Sequence, residues 1–333
     1  MRRQMLVSGA LAIVIALIMA VGSIAQAEME QYESQVLLDL SWGDGPSDMG
    51  YAKEGPEDGE GLRCGPAAFD VDKDGTIYIM DTVHHLVKVF ARTGKLLRSF
   101  PVEMQWDGSI CLDEEGNVWL NDGNRYAVRK YAPDGAPIQS IEYGPGPDRA
   151  VELGITVRGG EVYLGVSKVE VGEETMVAGK RGERMYEATR RPLNREEKPR
   201  FIGRTSKRRY KEIPDSGDRI TYVVEHVHGN SKRISFDVKG YRDVVIFQSE
   251  DGYGNVYFYV SLYQGYRGKG EDRVRYIYKY NSDMDLLAKA GPLLTGNYTE
   301  REKFLVIDDA GNIYHLATSK AGVKVVKWSP LSE

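Results

Sequence analysis

The sequence predicts an all-β protein: a six-bladed β-propeller of four-stranded antiparallel blades, the last blade closed by the N-terminal strand. Three observations predict it. The chain repeats itself at roughly 40–50 residues, the period of a propeller blade. Each clear repeat holds four short apolar runs, rich in β-branched and aromatic residues, between turn residues. The final repeat stops one strand short, and one unassigned strand stands near the N-terminus.

Taken in order, the chain opens with Arg2 and Arg3, an apolar run over 5–24, and Ala25-Gln26-Ala27, the small-x-small pattern of a signal-peptidase site. Residues 1–27 are read as a signal peptide and 28–333 as the propeller. The apolar run is long enough to span a bilayer, so an uncleaved anchor is the alternative, and only in that case is the chain attached to a membrane. Residues 28–60 carry 10 acids against Lys53 alone, and within them 36–42 (VLLDLSW) reads as the unassigned strand.

The repeat is clearest at an offset of 41, where 69–100 (FDVDKDGTIYIMDTVHHLVKVFARTGKLLRSF) aligns without a gap on 110–141 (ICLDEEGNVWLNDGNRYAVRKYAPDGAPIQSI). Its kernel is D-x-x-G, then Thr or Asn, a β-branched residue and an aromatic. It stands at Asp72-Gly75-Tyr78, Asp113-Gly116-Trp119, Asp251-Gly254-Tyr257 and Asp308-Gly311-Tyr314, with a worn copy at Gly160 to Tyr163. An Asp carboxylate can hold the amides of a tight turn, and glycine accepts positive φ without a Cβ clash. Gly116→Val is therefore expected to cost more than Asp113→Ala. The five glycines lie 41, 44, 94 and 57 residues apart, and 94 is twice 47, so one copy is unrecognisable between Gly160 and Gly254 and the total is six. The last copy has strands near 304–307, 312–317 and 323–328 and no fourth. If 36–42 supplies it, no sheet edge is left open.

The segment 65–100 resembles an NHL repeat, whose pattern is an apolar inner strand, D-x-x-G-N, I/V-Y-V-A-D and then R/K-V-Q-V-F; here the last two read IYIMD and LVKVF. The resemblance is strong over 65–143, good over 243–333 and poor over 165–240. It implies a six-bladed propeller of the kind found in exported bacterial proteins, in RNA-binding modules and in the peptide-amidating lyase domain. It therefore implies fold more firmly than function.

In such a propeller the loops joining second to third strands share a face with those joining one blade to the next, and ligands commonly meet the protein there. Candidate ligand-binding residues on that face are Asp81, His84 and His85 from blade one, Asp122, Asn124 and Arg125 from blade two, and Tyr266 and Arg267 in the long loop of blade five. For Asp81 and Asp122 a structural role, closing the loop on backbone amides, is the stronger reading.

Metal motifs are incomplete. Asp70-x-Asp72-x-Asp74-Gly75 with Asp81 twelfth has EF-hand spacing, yet its flanks read as strands, and Cys111 and Glu115 stand in place of Asp70 and Asp74 in the next repeat. His226-Val227-His228 has no identifiable further ligands, and His315 lies elsewhere on a strand. No metal or cofactor is expected. Cys64 and Cys111 do not occupy equivalent places in the repeat; two separate buried thiols are the favoured reading, and a disulfide is the alternative.

The composition is that of an ordinary globular chain, with 41% hydrophobic and 28% charged residues. The net charge of −5 argues against general nucleic-acid binding. The exception is a basic, irregular insertion around 178–212, with 13 Lys or Arg against 5 Glu. A solvated face is one reading of it. The other is a patch for an acidic partner, an envelope protein or a polysaccharide, with Lys207, Arg208 and Arg209 as its exposed centre. The function expected is a non-catalytic binding or scaffold module at the cell envelope, exported to the periplasm or outside the cell. The alternative is a secreted propeller lyase or hydrolase with a metal-assisted channel site; no nucleophile-elbow or zinc-protease motif occurs.

Overall fold

A run of residues that alternates between two apolar neighbours, rather than between core and water, must be covered on both faces. The second strand of each clear repeat is such a run: IYIMD, VWLND and IYHLAT are buried along nearly their whole length. The computed structural model describes residues 29–53, 63–104, 108–122, 125–143, 154–158, 160–164, 167–175, 184–191, 200–202, 208–214, 219–225, 231–238, 244–263, 273–294, 298–299 and 303–331. At 158, over 167–202 and at 209, 211, 214, 263 and 273 the description is of the backbone alone. The leader and the 226–228 histidines lie outside the described residues.

Among the described residues every element is a strand. They are β1 (Tyr32–Leu40), β2 (Ala52–Lys53), β3 (Arg63–Cys64), β4 (Pro66–Val71), β5 (Ile77–Asp81), β6 (Leu86–Phe90), β7 (Leu96–Pro101), β8 (Gly108–Leu112), β9 (Val118–Asp122), β10 (Ala127–Tyr131), β11 (Pro137–Glu142), β12 (Ile155–Arg158) and β13 (Glu161–Leu164). They continue with β14 (Ser167–Thr175), β15 (Arg184–Arg191), β16 (Arg200–Ile202), β17 (Arg209–Pro214), β18 (Arg219–Glu225), β19 (Ser231–Asp237), β20 (Val244–Glu250), β21 (Val256–Tyr263), β22 (Arg273–Tyr280), β23 (Leu286–Ala290), β24 (Leu305–Ile307), β25 (Ile313–Ser319) and β26 (Gly322–Pro330).

The strands form antiparallel meanders in the orders β4-β5-β6-β7, β16-β17-β18-β19 and β20-β21-β22-β23. The meanders β8 to β11 and β12 to β15 are fused into one eight-stranded sheet. There the outer strands β11 and β15 pair in parallel, from Gln139 opposite Arg184 to Glu142 opposite Glu187. An outer strand presents unpaired backbone groups to whatever strand comes alongside, and β15 takes up those of β11. Among the described residues of the basic tract 178–212, β15, β16 and the start of β17 are strands. The last sheet has the order β1-β26-β25-β24, with β1 paired antiparallel to β26 from Tyr32 opposite Pro330 to Leu40 opposite Val323. The strand read at 36–42 starts earlier, at Tyr32, is bulged between Val36 and Leu38, and stops before Trp42.

First strands lie side by side, β20 beside β24, β24 beside β4, β4 beside β8 and β8 beside β12. This is a propeller arrangement, sheets packed face to face around their inner strands. The core confirms it by alternation on β5. Ile77 and Ile79 pack with Leu38, Leu316 and Val325 of the last sheet, while Tyr78 and Met80 pack with Ile110, Val118 and Leu120 of the next. At the seam of the first and last sheets, Phe69 N–H donates to the Lys303 carbonyl and Lys303 N–H to that of Ala67, each at 3.3 Å.

The kernel turns join first strands to second and share one geometry. Oδ1 of Asp72, Asp113, Asp251 and Asp308 accepts the amides two and four residues on, at 2.8–3.0 Å. The glycines sit at φ +79° to +82°. The kernel aromatic completes the motif: Trp119 Nε1, Tyr257 Oη and Tyr314 Oη donate to Oδ2 of Asp113, Asp251 and Asp308 at 2.9, 2.8 and 3.2 Å. Burial, with the neighbouring carboxylate charge, pushes the Tyr314 hydroxyl well above the ordinary tyrosine range.

Candidate functional site: the second-to-third-strand loops

Asp81 ends β5 and is fully buried. A buried carboxylate needs partners for its charge and its lone pairs, and here every partner belongs to a neighbouring loop or strand. Gly50 N–H approaches both oxygens at 3.2 Å. His84 N–H reaches Oδ1 at 3.4 Å, His84 Nδ1 lies 2.8 Å from Oδ2, and Lys88 Nζ on β6 lies 2.9 Å from Oδ2. Lys88 is itself 2% exposed and also donates to the Asp48 carbonyl. Asp81 therefore ties the 43–50 loop, which follows β1, to the first sheet. A Cβ on Gly50 would stand 2.5 Å from Val83 Cβ, so this close approach requires glycine.

His84 bridges outward, its Nε2 lying 3.0 Å from Oδ1 of the fully exposed Asp44. The bonds to Asp44 and Asp81 hold the imidazole above its ordinary value, against the pull of desolvation. Of the two, the buried Asp81 is the stronger partner, since water screens Asp44. His85 is turned the other way: at φ 56° it sets Nδ1 3.0 Å from the Met104 carbonyl, and its own carbonyl accepts Val102 N–H.

The second sheet repeats this construction at the 41-residue offset. Asp122 is buried, accepts Arg125 N–H at 3.2 Å and faces Arg129 Nη1 at 3.4 Å. Arg125 takes the place of His84 and Arg129 that of Lys88. Tyr126 at φ 51° replaces His85, and its carbonyl accepts Tyr143 N–H as His85 accepts Val102. Arg129 Nη1 also donates to the Glu103 carbonyl at 2.8 Å. Arg125 is left 46% exposed, 3.8 Å from Glu103 and from Asp122. Asp81 and Asp122 are thus internal struts, and His84 and Arg125 are the groups they present to solvent. Lys88 and Arg129 escaped the sequence reading, although the gapless alignment places one over the other. Asn124, Tyr266 and Arg267 lie outside the described residues.

Arg208 corrects the expected basic patch. It is buried, donates Nη1 to the Gly254 carbonyl at 3.0 Å and sits 3.7 Å from the fully buried Glu250, which also accepts the Tyr210 hydroxyl. Burial and the Glu250 charge drive Tyr210 far above the ordinary tyrosine range. Arg208 is drawn inward because Glu250 needs a cation. Lys207 lies outside the described residues, and Arg209 is placed by its backbone on β17.

Along the inner strands, Asp70 faces Lys303 Nζ at 2.9 Å and accepts Leu112 N–H at 2.9 Å, while Lys303 donates to the Ile110 carbonyl at 3.0 Å. Asp72 turns instead to its own loop amides. The two carboxylates of the EF-hand-like spacing therefore point to different tasks. Cys64 and Cys111 are buried and unbridged.

No protein-family model matches the sequence, and no curated protein matches it. Among solved structures the chain is similar to virginiamycin B lyase from Staphylococcus aureus (10% identity, 90% of this chain and 100% of that one, TM-score 0.49). It is also similar to a member of the duf4221 family from Bacteroides vulgatus (8%, 91% and 98%, 0.44) and to the WD40 β-propeller domain of Doa1 (11%, 84% and 97%, 0.40). At these values the likeness assigns no function, and the propeller architecture rests on the strand order above.

Proposed function

We propose that this chain is an exported, non-catalytic binding or scaffold module at the cell envelope, built as a six-bladed propeller of NHL type whose last blade is completed by β1. One observation carries the reading. On the loop face, buried carboxylates are committed to holding loops, and the basic side chains they position, His84 and Arg125, reach the surface. That is the construction of a presenting scaffold, rigid behind and polar in front. Supporting it, the inner strands pair Asp70 with Lys303 rather than presenting either alone.

The partner is an acidic envelope polymer or protein surface, met by the loop face and by the surplus cations of 178–212 other than Arg208. Export follows from the leader-like segment 1–27. The test is co-sedimentation of residues 28–333 with an isolated envelope fraction. Binding at low salt that is released in 1 M salt, where charges are screened within about 3 Å, supports the reading. A chain that stays in the supernatant, or that purifies with a stoichiometric metal ion and turns over a substrate, overturns it.

A further inference from the structure

The buried cations Lys88, Arg129 and Arg208 are 2%, 7% and 8% exposed, and each faces a carboxylate: Asp81 at 2.9 Å, Asp122 at 3.4 Å and Glu250 at 3.7 Å. Arg275 on β22 differs. It is 7% exposed, yet among the described residues its guanidinium has neither a hydrogen-bond acceptor nor a carboxylate partner. An arginine keeps its charge at any accessible pH, so the burial is not relieved by losing a proton, and a lone buried charge is costly. An orphaned buried polar group calls for a reason, and a ligand is one.

Strand alternation places the side chain. Tyr257 and Tyr259 on β21 and Ile277 on β22 pack with Leu305, Ile307 and Ile313 of the last sheet. Residues two apart share a face of a strand, so Ser261 and Arg275 continue those rows into the same seam. They are register partners across β21 and β22, and directly opposed side chains stand about 5 Å apart at Cβ. Ser261 is 2% exposed, and its Oγ is buried without a partner among the described residues. On the kernel side the seam is closed by rings, Tyr259 meeting Phe304 edge-on at 5.3 Å and Phe304 meeting His315 at 6.2 Å. On the other side β21 ends at Tyr263 and β22 begins at Arg273, each two residues away, so the pair stands just inside the face that carries the second-to-third-strand loops.

We propose that Arg275 and Ser261 form an anion-binding site in the seam between the β20-β21-β22-β23 sheet and the last sheet, taking an oxyanion, the carboxylate or phosphate group of a small ligand that enters from the loop face. Both groups are donors: the hydroxyl offers one hydrogen, and the guanidinium offers a planar fork that matches two oxygens of a carboxylate or phosphate. Being almost buried, the pair takes an anionic group at the tip of a ligand rather than the flank of a polymer. The inference stands apart from the envelope reading, which rests on surface charges.

The test uses residues 28–333 with sodium acetate and sodium phosphate as probes, against sodium chloride at matched ionic strength and pH, read by calorimetry and melting temperature. One or both oxyanions should bind the parent saturably with Kd below about 10 mM and, at about tenfold over Kd, raise its melting temperature by about 2–4 °C. Arg275→Met removes the charge and keeps most of the stem; in chloride it should melt no lower than the parent, and it should gain at least about 2 °C less from the oxyanion. General stabilisation by excluded salts raises both proteins alike and cancels in this comparison. Ser261→Ala should weaken binding about fivefold. The tighter probe tells which group the ligand carries. No saturable binding by the parent, or an equal gain in Arg275→Met, overturns the site. So does a clear loss of stability in Arg275→Met in chloride, or its failure to fold, because the guanidinium would then already be satisfied by the protein.

Discussion

Replacing Asp113 by Ala tests the kernel turn, and the structure reverses the ranking expected from sequence. Asp113 Oδ1 accepts the amides of Glu115 and Asn117, and Oδ2 accepts Trp119 Nε1 at 2.9 Å and faces Lys130 Nζ at 3.1 Å. Each lost amide bond costs about 1 kcal/mol, and a buried donor left unpaired, here the indole N–H, costs about 1–3. The variant should therefore lose about 3–5 kcal/mol. Gly116 stands at φ +80°, and a Cβ added there would have only Pro133 Cγ nearby, at 3.9 Å. Gly116→Val thus carries backbone strain of about 1–3 kcal/mol and little clash. Urea titration of both variants decides the order. A smaller loss for Asp113→Ala than for Gly116→Val would show that water replaces the carboxylate and would refute this account of the turn. Acid should mimic the mutation. Burial would raise the Asp113 carboxyl, but the bonds from Trp119, Asn117 and Lys130 lower it on balance. Its contribution is therefore present above the unfolded value of about 3.9 and disappears as pH falls from there through the depressed folded value.

Gly311→Ala should be worse than Gly116→Ala in the same titration, since at equal φ its Cβ would lie 2.8 Å from the Tyr257 hydroxyl and 3.2 Å from Asp251 Oδ2. His84 is raised on folding, so its contribution is complete below its unfolded value of about 6.5 and is lost as pH rises through the folded value; the melting temperature should drop over that interval, and His84→Gln should remove the drop. Deleting residues 28–42 removes Leu38 and Leu40 from the core and exposes β26, at a cost of about 3–6 kcal/mol for the two side chains; an unchanged melting temperature would contradict the pairing. Arg208→Met leaves Glu250 buried without its cation and should cost about 3–5 kcal/mol by denaturant titration, whereas a surface arginine would cost almost nothing.

Features set by neighbours in sequence were legible before the structure. The turn at Asp113 has all its partners but Lys130 within six residues, so a D-x-x-G kernel and an aromatic at fixed spacing reported it. The orphan strand was legible by subtraction, because a sheet lacking its fourth strand and an apolar run with no partner imply each other. Register was less so: Val36 falls at a bulge, and Trp42 leaves the strand for the seam. Lys88 and Arg129 were legible only as an alignment, since nothing local says that a lysine in a strand points at a buried Asp81. Arg208 was misread because its partner Glu250 lies on another sheet, and charge counted along the chain cannot tell a solvated cation from a buried one.

Hydrogen–deuterium exchange of residues 28–333, with and without the envelope polymer that it sediments with, tests the binding-face account most directly. The account predicts slowed exchange over 43–50 and 82–86 and at 125–126, with the inner strands unchanged. Protection confined to the inner strands, 67–70, 109–112 and 303–307, would contradict it and place the ligand in a central channel instead.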